Sequence, residues 1–484
     1  MKIVLRILTL SLALLTTAMF VSCANQGDSA SGSKQSGSKA ASSKMSESAA
    51  QNEESEQTTS KSGITLEPFT MPADGFGLEQ ITYATIETGM SVAKGEGNIV
   101  YVAGWNTIRK YDYSDPLNPK LVKSQQVVTS LKNTNITSLV INGDYIYAGC
   151  RRTQANIPNP YTTNGLIIIL KKSDLSIVKT AKMTFPDGNS TTYAAEAGYG
   201  HKNWDANDVK VGDELVEQEG TFNYKDGVCE LNFKVSNFHL HKNMLIVNLQ
   251  MRGWCIFTID EKDPTHLTLT DTCFWGENPI IEHQGGDVYE HDGKTYYVAA
   301  GFGDGISIYD ITDPTDIKEE LRYNFWNSSQ FDTNVKGKIH TFSLVVDYPY
   351  VYATVAPEYS MLTDKASENY ANRIMGVLTL DITDFKNVGY TISKIADADR
   401  CGFLGGDPQP TKIYKIDNYL VLNSSDKGVA VFKITNKAEP TYVKTIQVAN
   451  NKHIYGFSSI GDNMLLVGEQ EAPYKSYVYK VHIK

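Results

Sequence analysis

Residues 285–317 read GGDVYEHDGKTYYVAAGFGDGISIYDITDPTDI. Asp287 to Glu290 alternates side chains as a strand does, and His291-Asp292-Gly293 is a tight turn. Thr295 to Ala300, rich in β-branched and aromatic residues, is a second strand. Gly301-Phe302-Gly303-Asp304-Gly305 turns the chain again, and Ile306 to Ile311 is a third strand. Asp313-Pro314 then ends the ladder, because proline has no N–H to give. A lone meander cannot bury its own faces, so the pattern requires copies beside it.

The copies are present. Ser91 to Gly104, Thr137 to Gly149, Asn237 to Asn248, Ser343 to Thr354, Lys412 to Asn423 and Phe457 to Glu469 repeat the strand–turn–strand pattern. Most continue into a third strand, and several leave it by a similar exit, such as SDPLNP at Ser114, EKDP at Glu261 and TDP at Thr312. A fourth, outer strand follows in places, as at Lys120 to Val127 and Tyr442 to Val448. Seven meanders predict an all-β chain folded as a seven-bladed β-propeller of four-stranded antiparallel blades. The last copy stops at Lys484 without an outer strand, while Gln80 to Glu87 precedes the first copy as a spare strand. This N-terminal strand is expected to complete the last blade and close the ring.

The pattern at Tyr297 to Pro314, with its Asp-Ile-Thr-Asp-Pro exit, and more loosely at Tyr101 to Pro119, resembles the LVIVD repeat of bacterial surface and secreted β-propellers. The resemblance covers about residues 80 to 484. It implies a propeller fold and an extracytoplasmic setting, and brings no shared chemistry with it.

The N-terminus agrees with that setting. Lys2 and Arg6 precede an uncharged, mostly apolar run, Ile7 to Val21, which ends in Ser22-Cys23. This looks like a lipoprotein signal peptide over residues 1–22, with Cys23 the lipidated residue; Phe20 departs from the usual Leu. Residues 23–63 are rich in Ser, Gly and Lys and poor in large apolar side chains, so they are expected to be a disordered tether. About 40 such residues span roughly 35 Å. The propeller then occupies 64–484. The expected location is the bacterial cell envelope, anchored to the membrane through Cys23, at the outer membrane or cell surface.

The chain of 484 residues carries a net charge of −10, and removing residues 1–22 leaves −12. An acidic surface excludes nucleic acid as a partner, since that needs a basic footprint. No CxxC, GxSxG or HExxH spacing occurs. Cys255 and Cys273 are symmetric about Pro264, in strands expected to pair, which suggests a disulfide; two small buried thiols are the alternative.

The hairpin turns on one propeller face are short. The connections on the other face are long and irregular: 150–164, 185–233, 276–286, 327–341, 356–375 and 397–411. Loops held by a rigid scaffold carry binding residues, so this long-loop face is the expected contact surface for a protein or glycan. The insertion at about 185–233 does not show the blade pattern, with an eighth, degenerate blade as the competing account. Its Tyr199, His201 and Trp204, with Arg151, Arg152, Arg373 and Arg400 on other loops, are the candidate ligand contacts.

His283, His340 and His453 each precede an innermost strand and should approach the channel mouth, near Glu282, Asp287 and Asp407. Such a cluster suits a general base or a divalent metal, although polar side chains and water commonly fill propeller channels. No cofactor is otherwise expected. Two functions follow: a binding or scaffold protein that is not an enzyme, or a carbohydrate-active enzyme, lyase or glycosidase, at the channel mouth. Fold alone does not choose between them.

Overall fold

Alternation with period two explains how this chain closes into a ring. In the second strand of each blade nearly every side chain is apolar, because both faces are covered. Val100 and Val102 pack toward one neighbouring blade while Tyr101 and Ala103 pack toward the other. Leu245, Val247 and Leu249 likewise face one junction, and Met244 and Ile246 the next.

The structure is a computed structural model. It describes residues 69–85, 90–104, 106–115, 118–127, 134–152, 165–178, 180–184, 190–192, 222–225, 228–231, 235–249, 253–273, 285–325, 338–357, 373–396, 412–424, 428–448, 454–461, 463–469 and 475–484. These form an all-β, seven-bladed propeller without helix. Blade 1 is Val92–Glu96, Ile99–Gly104, Thr107–Asp112 and Lys120–Gln126. Blade 4, the stretch quoted first above, is Gly285–His291, Lys294–Ala300, Ile306–Asp310 and Lys318–Tyr323. The inner hairpins of blades 2, 3, 5 and 6 begin at Thr134–Asn142, Val235–His241, Leu344–Asp347 and Ile413–Ile416. Blade 7 begins at Ile454–Gly461, continues through Met464–Glu469 and Lys475–Ile483, and takes its outer strand from Phe76–Thr85. That strand pairs antiparallel with the C-terminal one from Phe76↔Ile483 to Thr85↔Lys475, so the ends of the described ring close it as expected.

Seven apolar clusters fill the seven junctions between blades. The cluster joining blade 7 to blade 1 contains Met90, Ala93, Val100, Val102, Ile460, Leu466 and Val478. It shows that the ring is sealed and not an open arc.

Two kinds of polar contact recur from blade to blade. The blade exits are Asx turns: Asp112 Oδ1 accepts from the Ser114 amide at 2.8 Å and hydroxyl at 2.6 Å, and Asp310 does the same with Thr312 at 3.0 and 2.6 Å. The repeated Asp-x-Ser/Thr exit is thus a turn that satisfies its own backbone. Second, tyrosines on second strands reach the next blade. The hydroxyls of Tyr101, Tyr147, Tyr352 and Tyr419 donate to the carbonyls of Lys172, Pro264, Lys437 and Asp74, beside the outer strands or exits of blades 2, 3, 6 and 7.

The insertion adds strands to two of the blades. After Gly165–Lys171, the third strand of blade 2, the chain crosses to blade 3. There Lys182–Thr184 pairs parallel with the outer strand His266–Cys273, and Ser190–Thr192 pairs outside it. The far end of the insertion returns to blade 2, where Val228–Leu231 is the fourth strand and Phe222–Lys225 a fifth. Blades 2 and 3 therefore have five and six strands, joined from outside by their shared connection. These hairpins extend existing blades at the rim; they do not form an eighth.

The Cys255–Cys273 disulfide is also corrected. The two strands do pair, but Cys255 lies opposite Thr272 and Cys273 opposite Trp254. A one-residue offset sends side chains to opposite faces of a sheet. Cys255 enters the junction between blades 2 and 3, Cys273 packs at that between blades 3 and 4, and both are free thiols.

Candidate functional site in the axial channel

The inner strand of each blade is paired on one side only, so seven strand edges surround the ring axis. Side chains on these edges latch each blade to the next. Ser91 Oγ donates to the Ile136 carbonyl, and Thr137 Oγ1 to the Val235 carbonyl. Ser138 Oγ accepts from the Phe238 amide at 2.8 Å, and Ser458 Oγ from the Ala93 amide at 3.0 Å. Tyr414 donates to the Phe457 carbonyl. Each latch runs from a side chain to the backbone of the following blade.

Asp287 makes the corresponding contact between blades 4 and 5. Its Oδ2 accepts from the Val346 amide at 2.9 Å, and its Oδ1 from its neighbour Val288 at 2.9 Å. The carboxylate is therefore held by two backbone donors. His239, on the inner strand of blade 3, lies beside it. Burial pushes the His239 pKa down; the Asp287 carboxylate and the Gly286 carbonyl pull the other way, and Lys94 and Lys412 add to the push. Burial wins, so the ring is neutral. Its edge faces Tyr297, with centroids 6.3 Å apart.

Lys94, His239, Asp287 and Lys412 sit on blades 1, 3, 4 and 6. Lys94 is exposed, while His239, Asp287 and Lys412 keep intermediate accessible surface. Lys412 is enclosed by protein, and burial pushes its ammonium pKa down. Its accessible surface is intermediate. Its main chain is clamped by Asn423, whose Oδ1 accepts from the Lys412 amide at 2.7 Å and whose amide donates back to the Lys412 carbonyl. Among the described residues no hydrogen bond or ion pair reaches the Lys412 ammonium.

Of the residues expected at the channel mouth, Asp287 lies on the inner strand of blade 4 and bridges to blade 5. His340 is enclosed: it is 1% exposed, its ring lies 3.9 Å from that of Phe302, and burial lowers its pKa to about 3. It belongs to the packing beneath the Gly301–Gly305 turn and does not open to the mouth. Arg373 is half-buried just before the third strand of blade 5, Gly376–Asp381. Arg151 and Arg152 end the second strand of blade 2, in backbone register with Asn135 and Thr134. Cys23, Tyr199, His201, Trp204, Glu282, His283, Arg400, Asp407 and His453 lie outside the described residues. Among the described residues no three His, Cys, Asp or Glu side chains group as a metal would require. Lys94, His239 and Lys412 were not singled out by sequence. The available signal was a polar or charged residue in an inner-strand pattern, in VAKGE, NFHLH and KIYK.

No family model and no curated protein matches this sequence. Among solved structures, the computationally designed Ika8 protein is similar at 10% identity and a TM-score of 0.43, over 83% of this chain and 99% of that one. The N-terminal domain of Nup159 is similar at 9% identity and a TM-score of 0.44, over 85% of this chain and 96% of that one. Likeness at this level carries no argument about what the protein binds.

Proposed function

We propose that this chain is a lipid-anchored cell-envelope protein whose propeller acts as a binding or scaffold module for a protein or glycan on its long-loop face. The observation that carries the reading is the sealed ring: seven junction cores and the closing strand Phe76–Thr85 make a rigid scaffold, the setting in which connecting segments carry binding residues. The anchor rests on the apolar run ending at Ser22-Cys23 and on the low-complexity segment after it. Metabolic labelling with a clickable fatty acid is expected to mark the wild-type protein and to miss Cys23→Ala; equal labelling of both refutes the anchor. For the ligand, a glycan array and a pull-down from envelope fractions are expected to yield a saturable partner whose binding is weakened by substitutions in the long loops. A partner that is indifferent to every loop substitution argues against the long-loop face.

The second reading, a carbohydrate-active enzyme, is favoured by His239, which burial keeps in the neutral form that accepts a proton. A turnover screen on polyuronides decides it: activity lost in His239→Gln supports catalysis, and no turnover leaves the binding reading alone.

A further inference from the structure

The outer strand of blade 1, Lys120–Gln126, stands apart from the rest of the rim. It ends its sheet, so one row of its backbone N–H and C=O groups has no strand partner among the described residues. Leu121 and Val122 are 54% and 53% exposed, the only large hydrophobic side chains that stand exposed among the described residues. Other outer strands hide theirs. In blade 4, Leu321 is half-buried, and Glu319 and Glu320 are paired with Arg322 and Lys294. In blade 6, Tyr442, Val443 and Ile446 of Thr441–Ile446 are half-buried. In blades 2 and 3, strands of the insertion lie outside, so this fold already uses strand addition at its rim. On blade 1, Asp112 lies opposite Lys120 and Lys110 opposite Lys123, so both edge lysines share the face of Lys110. That face is toward blade 2, where Lys110 donates to the Lys172 and Ser173 carbonyls at 3.1 and 3.0 Å. No ion pair among the described residues reaches Lys120 or Lys123. Such lysines repel a second copy of the strand, because pairing Leu121 with Val122 of that copy sets Lys120 against Lys123. They attract a strand that carries acid.

We propose that the outer strand of blade 1 is a docking edge for a partner protein, which adds an extended segment with two aliphatic residues between carboxylates. Backbone hydrogen bonds along the free edge supply affinity, and burial of Leu121 and Val122 adds to it. Lys120 and Lys123 select for acid on the side toward blade 2. The edge lies on the rim, so it stands whether or not the long-loop face takes a ligand.

Fluorescence anisotropy on the intact folded chain tests this with two synthetic peptides. One is VGDELVEQEG, residues 211–220, whose Glu-Leu-Val-Glu inverts the charges of Lys120 to Lys123. The other is VGDKLVKQEG, the same peptide with those two glutamates changed to lysine. Saturable binding of the acidic peptide is expected, with the basic one at least about tenfold weaker. The double variant Lys120→Glu, Lys123→Glu is expected to keep the wild-type thermal midpoint, since both side chains are exposed, and to reverse the preference between the peptides. Leu121→Ser with Val122→Ser is expected to weaken binding of the acidic peptide about tenfold or more. A chain carrying Glu214→Lys and Glu217→Lys is expected to bind the acidic peptide as the wild type does. No binding by the wild type, equal binding of both peptides, or a preference that survives in the lysine variant overturns the proposal. So does a gain of about tenfold or more in the Glu214→Lys, Glu217→Lys chain, which would show that the protein's own tetrad fills the edge and that no partner is called for.

Discussion

Asp304 and Asp310 lie six positions apart in blade 4, and their surroundings drive them in opposite directions. Asp304, in the turn between the second and third strands, is raised to about 6: burial does this, and Arg322 and the Asn324 amide 3.3 Å away offset only part of it. At Asp310 burial also pushes up, but the Lys294 ammonium at 2.8 Å and the Thr312 hydroxyl and amide outweigh it, and the pKa is lowered. The signs for stability follow. A carboxyl raised above its unfolded value, about 3.9, stabilises fully below that pH and loses the contribution as pH rises through about 6. Asp304→Asn is therefore expected to remove a loss of about 1–3 kcal/mol between pH 4 and 7.5, read as the difference between variant and wild type in urea unfolding at the two pH values. Equal pH dependence in both proteins would refute it. A lowered carboxyl contributes above its unfolded value and loses that contribution as pH falls through the folded one. Asp310→Asn is accordingly expected to be less stable than wild type at neutral pH, with a shallower decline on acidification below about pH 4.

Between residue and ring stand the recurring devices of the blade. The Asp-x-Ser/Thr exit was legible because its chemistry is local: the carboxylate, the amide and the hydroxyl lie within three positions. The tyrosine latch was visible only as strand-forming aromatics in YIY and YVY, since the carbonyl it meets belongs to another blade. Tyr352→Phe keeps the ring and deletes the bond to the Lys437 carbonyl, 2.9 Å long, so it is expected to cost about 1 kcal/mol in urea unfolding with an unchanged m-value. A neutral outcome would show that water replaces the tyrosine. The rim hairpins were illegible for the same reason of distance. Lys182–Thr184 and Val228–Leu231 are three and four residues long, and each is a strand only because a blade edge offers it partners. The cysteine register failed because the hairpin closes about Asp263, with Phe257 opposite Leu269, and the irregularity between Ile256 and Phe257 makes up only one of the two positions that a Cys255–Cys273 pair would need.

At the scale of the whole molecule, the ring explains both what the sequence disclosed and what it hid. Seven copies and a spare strand predicted the closure, because a repeat declares itself in one dimension. The polar side chains of the inner strands did not, because Lys94, His239 and Lys412 belong to different blades, whose inner edges come around one axis only in the closed ring. Phe76–Thr85 supplies the outer strand of blade 7 and places Phe76 in the junction core between blades 6 and 7. A chain starting at Gly63 retains this strand, and one starting at Ile86 loses it. The longer chain is expected to unfold with the midpoint of the full-length protein, and the shorter one at least about 10 °C lower. The loss should not stay local: with blade 7 short of its edge strand, blade 7 no longer holds blade 1 in place. Supplying residues 69–85 as a peptide should restore the midpoint, because strand addition to an open edge reproduces the native pairing. If the chain starting at Ile86 keeps the full-length midpoint, the strand is an ornament on a ring that closes without it.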